Sequence, residues 1–288
     1  MSDMRRLLLS ALFTAAAAGT LGGQSAPPAR DPRFTWGLIG GASGLRSDAS
    51  QQGASALFEY KPVTWLTLSA NPSADRVTVP TTTGGGSVSS TGPTDLPLGI
   101  AASHEIPHVP LSPTLGAGLE LSLPTGNSST GLGSGQTGVA GELGAGISPT
   151  DNLSLDLNLW HPFVGDGING ALDAPRATSI DLEAGYDWTD RLSTSIGYST
   201  DVGPADSGAV LPQSIAAGFV VAFAKPLALT VNGARGITSG APRWVISVGI
   251  GTAFSGINPV GPNSLFGRLK HALGRSADRG NGKNKVGK

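Results

Sequence analysis

The chain has 288 residues, with 43 Gly, 21 Pro and no Cys, and only 14% of it is charged. Without cysteine there is no disulfide scaffold, thiolate metal site or sulfur nucleophile. A mean hydropathy of +0.04 rules out both a disordered polyelectrolyte and a bundle of apolar spanning helices. The net charge of −1 hides a segregation: residues 24–254 carry −8, whereas seven Lys or Arg against Asp278 give +6 from Ser255 onward. An acidic body lacks the clustered bases that a phosphate backbone requires, so no nucleic-acid partner is expected.

At the start, Arg5 and Arg6 precede an apolar run from Leu7 to Leu21, then small residues and Gln24-Ser25-Ala26-Pro27-Pro28. This is the layout of a secretory signal peptide, with cleavage expected between Gly22 and Ala26. The run is too short for a spanning helix, which needs about 20 apolar residues. Residues 1–26 are therefore assigned to export and the folded part to 27–254.

From Phe34 onward apolar residues recur at every second position, the period of strands. Leu115, Ala117, Leu119 and Leu121 form one such row, and Val139, Leu143, Ala145 and Ile147 another. Leu153, Leu155, Leu157 and Leu159 follow, then Ile180, Leu182, Ala184 and Tyr186, and then Leu192, Thr194, Ile196 and Tyr198. Ile215 to Phe223 and Trp244 to Phe254 complete the clear cases. Weaker rows lie near Phe34–Gly41, Ala54–Tyr60, Thr64–Ala70, Leu96–His104 and Leu227–Gly233, giving about twelve strands by the alternation test. The connections alternate in length. Lys61-Pro62-Val63, Ser148–Asn152, Asp187–Arg191 and Ala224–Pro226 are short, with a somewhat longer link near Glu105–Ser112. Leu45–Gly53, Asn71–Asp95, Pro124–Gln136, Gly165–Arg176, Thr200–Gln213 and Gly236–Pro242 are long. An even strand number with short turns at one end and long loops at the other is the plan of an antiparallel transmembrane β-barrel. Within Asn71–Asp95, the run Arg76-Val77-Thr78-Val79 extends a strand beyond the membrane.

A soluble sheet would alternate as well, but its polar face would carry many Lys and Glu. Here that face holds mostly Gly, Ser, Thr and Asn, and between Gln24 and Phe254 the only lysines are Lys61 and Lys225, both in short turns. Aromatic residues gather near strand ends, at Phe34, Trp36, Tyr60, Trp65, Trp160, Phe163, Tyr186, Trp188, Phe223, Trp244 and Phe254, as interfacial girdles do. With the apolar parity facing lipid, Glu59, Glu120, Glu142, Asp156, Asp181 and Glu183 point into the lumen, and Arg191 and Arg243 are among the few inward bases. Such a lumen attracts cations and disfavours anions. The alternative is a packed polar core in which these acids pair with hydroxyls and the arginines.

Leu119-Glu120-Leu121-Ser122-Leu123-Pro124-Thr125-Gly126, then Gly131-Leu132-Gly133-Ser134-Gly135, then Asp151-Asn152-Leu153-Ser154-Leu155-Asp156-Leu157-Asn158 form a distinctive series. It resembles the bacterial outer-membrane family of the "MetA-pathway of phenol degradation" type, and Asp187-Trp188-Thr189-Asp190-Arg191-Leu192-Ser193 is similar to that family's later tight turn. The resemblance covers about Phe34 to Phe254. It implies a barrel in the cell outer membrane that passes small solutes, hydrophobic or aromatic ones among them. The strand ending at Phe254 looks like the signal read by the barrel-insertion machinery, although 34 residues follow it.

Two strings suggest other chemistry and fail on context. Gly133-x-Gly135-x-x-Gly138 matches a dinucleotide fingerprint, which must open a helix, yet Val139 onward alternates as a strand. His104-Glu105-Ile106-Pro107-His108 matches a zinc-protease string, but Pro107 breaks the required helix. In extended chain the two imidazoles would stand about 13 Å apart. His161, beside Trp160 and Phe163, has no nucleophile signature near it. The expectation is a passive channel for small solutes in outer-membrane lipid, with no enzyme activity and no cofactor. The other reading is a plugged structural or surface-interaction barrel with ligand-binding loops. In the basic tail, 255–288, Leu265, Phe266, Leu269 and Leu273 at helical spacing suggest a short amphipathic helix, which suits an anionic leaflet.

Overall fold

A computed structural model describes residues 33–252 apart from 45–47, 82–85, 108, 110, 112, 165–176, 204–209 and 225. The expected signal segment, Phe254, His108, Lys225 and the tail lie outside the described residues.

The strands are β1 (Phe34–Gly44), β2 (Ser50–Val63), β3 (Leu66–Ala70), β4 (Ser73–Pro80), β5 (Ser87–Pro93), β6 (Leu96–Glu105) and β7 (Thr114–Leu123). They continue as β8 (Gly138–Thr150), β9 (Leu153–Val164), β10 (Thr178–Thr189), β11 (Leu192–Val202), β12 (Gln213–Ala224), β13 (Leu227–Gly236) and β14 (Trp244–Gly251). All fourteen belong to one antiparallel sheet. β1 pairs with β2 on one side and with β14 on the other, so the sheet has no first or last stave and the barrel is closed.

Fourteen strands make twelve staves, because β3 with β4 and β5 with β6 are each one stave interrupted once. The first break falls at Asn71-Pro72, where Pro72 has no N–H to give the ladder. β2 runs past it unbroken, pairing with β3 through Phe58–Val63 and with β4 through Ser50–Ser55. The second break, at Thr94-Asp95, sits opposite, and the Thr94 amide donates to the Ser73 carbonyl at 3.0 Å. The segment Asn71–Asp95 is thus largely not a loop as the composition suggested. It is a β4–β5 hairpin, extending the strand through Arg76–Val79 as the alternation indicated.

Side chains follow the predicted parity, with a polarity inverted relative to that of a soluble protein. Leu115, Leu119, Leu143, Leu182, Ile196, Ile215, Ile246 and Val248 are exposed, whereas Ser43, Thr67, Ser193, Ser199, Thr230 and Ser247 are buried. A soluble protein buries the first set, so this surface is one that only hydrocarbon would solvate favourably. Phe34, Tyr60, Trp65, Tyr186, Trp188 and Phe223 are exposed at the short-turn end, with Phe163 and Trp244 towards the other. Trp160 departs from the girdle: its parity turns it inward, and it is only 7% exposed.

The seam between first and last staves depends on close backbone approach. Gly37 pairs with Gly251, and a Cβ on Gly251 would strike the Trp36 carbonyl and the Gly37 Cα, neither of which can swing away. Gly40 has room, its nearest neighbour being the Gly53 carbonyl oxygen at 4.0 Å. Gly251→Val is expected to cost about 3 kcal/mol through overpacking at the seam. It should sharply lower the yield of the compact, heat-modifiable form on cold SDS gels, while Gly40→Ala refolds like the parent. Equal yields for both variants would show that the seam tolerates a side chain there.

Candidate functional site

The interior is built by strand parity. On β9 the even residues Ser154, Asp156, Asn158 and Trp160 are buried, and on β10 the odd residues Ser179, Asp181 and Glu183 are buried. Register places Glu183 directly against Asp156, and Asp181 against Asn158. Glu142 on β8 lies between Gly118 and Trp160 in register, and Glu120 lies one row along on β7. Glu59 accepts a hydrogen bond from the Thr35 hydroxyl at 2.9 Å near the short-turn end. The six acids singled out in the sequence therefore share one inward face, five of them nearly fully buried and Glu142 half-buried.

The two arginines are placed differently. Arg191 is exposed in the tight turn between β10 and β11, and Arg243 is exposed just before β14, at the long-loop rim. There its guanidinium stands 3.7 Å from Asp48, with both side chains more than half exposed, a geometry that adds little stability. Neither forms part of the interior wall. They fall at strand ends, where parity no longer fixes direction.

Sequence reasoning missed two further inward acids. Asp75 on β4 is 3% exposed and accepts a 2.6 Å bond from the Gln51 amide. Asp201 on β11 accepts a 2.8 Å bond from the Ser179 hydroxyl. Asp75 was hidden because its segment read as a loop, and Asp201 because it falls at the start of another long link.

A third missed acid shapes the mouth. Asp95, at the β5–β6 break, accepts from the Gly126 amide at 3.0 Å through one carboxylate oxygen and from the Ser134 amide at 2.6 Å through the other. Nearby, the Thr125 hydroxyl donates to the Thr94 carbonyl at 2.8 Å. These bonds fold the β7–β8 loop back so that Leu132 is buried against Gly92, on the side of the hairpin that Asp75 faces. Gly126 and Gly133 are required by proximity: a Cβ on Gly126 would meet the Leu132 carbonyl, and one on Gly133 would meet the Asp95 carboxylate. The Leu-Pro-Thr-Gly and Gly-Leu-Gly-Ser-Gly strings are thus the two sides of a loop clamp. The fingerprint-like glycines belong to this loop, and β8 follows them as a strand.

In the wall across β3 and β6–β10 lies an apolar hollow of about 580 Å³, a volume usual for small-molecule sites. Ile100, Leu119, Leu143 and Phe163 line it from the outward face, and the inward-parity residues Glu142 and Trp160 are also part of its lining. His161 shares this outward face, its Nδ1 lying 3.0 Å from the Thr178 hydroxyl and its ring edge-on to Phe163. His104 lies at the end of β6 in extended chain, not on a helix.

Residues 32–254 match the model of the family described as "Putative MetA-pathway of phenol degradation". The chain belongs to that family. The structure is similar to that of the COG4313 outer membrane channel from Pseudomonas putida F1, with a TM-score of 0.58 and 15% identity over 76% of this chain and 94% of that one. It is also similar to the NanC porin, with a TM-score of 0.54 and 9% identity over 75% of this chain and 98% of the other. These likenesses show an outer-membrane barrel fold. No curated protein matches the chain.

Removing the clamp is expected to release the loop. Asp95→Ala forfeits two bonds to a charged acceptor, on the order of 3 kcal/mol together. That corresponds to roughly 100-fold faster nicking within 124–137 by proteinase K if cleavage follows local opening. Asp95→Asn, which keeps one acceptor oxygen, should fall between. Equal rates in all three proteins would mean that the loop's own backbone bonds hold it.

Proposed function

We propose that this member of the phenol-degradation MetA-type family is a passive outer-membrane channel for small solutes, with no covalent chemistry of its own. The observation that carries this reading is the charge pattern of a closed barrel: eight carboxylates face inward, while Arg191 and Arg243 lie at the rims. A field of one sign inside low-dielectric walls raises the local concentration of the opposite ion, so the passage favours cations and neutral solutes over anions. The hydroxyls and amides of Ser, Thr and Asn along the wall offer hydrogen bonds that make and break cheaply as a solute moves. Glu59, Glu120, Glu142, Asp156, Asp181 and Glu183 line this path.

The apolar hollow supports a hydrophobic or aromatic solute. It is lined mainly by outward-parity apolar side chains, Phe163 among them, so a ring dissolved in the bilayer meets an apolar bed there. Bilayer lipid and the barrel-insertion machinery are the partners of the protein wall, and the strand running towards Phe254 is the segment offered to that machinery.

Two measurements test the reading. In planar bilayers, Glu120→Gln with Glu142→Gln should lower the cation-to-anion permeability ratio about twofold without loss of conductance. An unchanged reversal potential would remove these acids from the path. In proteoliposomes, Ala117→Trp, which fills the hollow from outside, should slow entry of a monoaromatic probe while potassium conductance stays at the parent value. Unaltered entry would exclude the hollow from the solute route.

A further inference from the structure

The bases of the described wall are few and unevenly placed. Arg33, Lys61 and Arg191 lie at the short-turn end, and Arg76, Arg235 and Arg243 at the long-loop end. The second group falls on one flank, the contiguous staves β13, β14, β1, β2 and β4. Among the described residues, β5 to β12 bring no base to that end. Arg76 and Arg235 are exposed with outward parity, and neither has an acid within ion-pair distance among the described residues. Arg243 is also exposed, with Asp48 at 3.7 Å.

Register sets their spacing. Arg76 pairs with Gln52, Gln52 with Ala42 and Ala42 with Ile246. Ala234 pairs with Val245 and Gly44 with Trp244, which puts Arg235 beside Trp244, one outward row nearer the rim. Four strand steps separate β13 from β4, so Arg235 and Arg76 stand roughly 19 Å apart along the wall. Between them the outward positions are small. Gly40, Ala42 and Ala54 leave a trough in the lipid-facing surface, bordered by the exposed side chains of Ile246 and Val248. The Trp244 indole closes its upper end by lying over Gly44, where a Cβ would strike the ring.

A guanidinium held against acyl chains is costly, whereas at headgroup level its planar fork can take two phosphoryl oxygens at once. A tryptophan beside it belongs at the same depth. A free phosphate would engage the arginines and leave the trough unused, while a lipid engages both. The spacing is more than one phosphoryl group can bridge, so the matching headgroup is phosphorylated at both ends. We infer that this flank seats one bisphosphorylated lipid of the leaflet at the long-loop end. One phosphoryl group sits at Arg76, the other at Arg235 and Arg243, and an acyl chain lies in the trough of Gly40, Ala42 and Ala54. The seat is on the outer wall, apart from the inward acids, and stands whether or not the barrel conducts.

The test is native mass spectrometry of the refolded full chain in detergent, each protein first shown to be heat-modifiable on gels. The parent should hold diphosphoryl lipid A as a one-to-one adduct, about tenfold more tightly than monophosphoryl lipid A. Arg76→Gln, Arg235→Gln and Arg243→Gln together should abolish that preference. Ala54→Leu, which fills the trough at unchanged charge, should weaken both lipids. Arg33→Gln with Arg191→Gln, at the opposite end, should bind like the parent. Equal retention of the two lipids by the parent overturns the seat. So does a loss in the short-turn variant as large as in the triple variant, because general charge would then account for binding. Parent-like binding by Ala54→Leu, with lipid displaced by millimolar inorganic phosphate, would make this a free-anion site and overturn the lipid assignment.

Discussion

Closure of the β1–β14 seam is the condition on which the rest of this structure depends. In hydrocarbon each unpaired backbone N–H or C=O costs several kcal/mol, so a sheet that spans a membrane must have no edge. Here the first and last staves meet through Gly37 and Gly251, at a distance that excludes a side chain. Once the ring is closed, each strand residue has only two directions left. One leads to lipid and the other to the interior, and the period of two assigns them.

From that assignment follows the inversion of polarity. The outward parity holds Leu, Ile, Val and aromatic residues because nothing else is tolerated against acyl chains. The inward parity is then the only place within the span for Glu120, Asp156, Asp181 and Glu183. Their concentration on one surface is therefore partly a consequence of lipid exclusion. Among the described strand residues the inward parity carries eight carboxylates and one base, Lys61, so the charge of this face is of one sign. Register sets two of these acids, Asp156 and Glu183, directly opposite each other.

The mouth follows a different logic. Outside the membrane, water can satisfy the backbone, so loops need specific anchors to hold a shape. Asp95 supplies one by bonding two amides from a segment more than thirty residues away. The glycine-rich strings that mark the family in sequence turn out to be the chain's accommodation to that carboxylate.

Much of this was legible in the sequence, because the membrane reduces strand geometry to alternation. Twelve staves, most of the short and long links and the inward direction of six acids follow from counting every second residue from Phe34 onward, and the family follows from strings such as Leu-Pro-Thr-Gly and Gly-Leu-Gly-Ser-Gly. The readings that changed lie where that count loses force. Arg191 and Arg243 fall past strand ends, Trp160 was grouped by residue type and not by parity, and Asp75 lay in a stretch of Gly, Thr and Ser that folds as a hairpin. Asp95 and the wall hollow carried no local signal, since each owes its place to residues distant in the chain. Sequence by itself determined which side of the wall each residue faces, because parity is a local property of extended backbone. Only the tertiary structure decided which residues meet across the wall and at the mouth, because register and loop anchoring join segments whose separation no local pattern records.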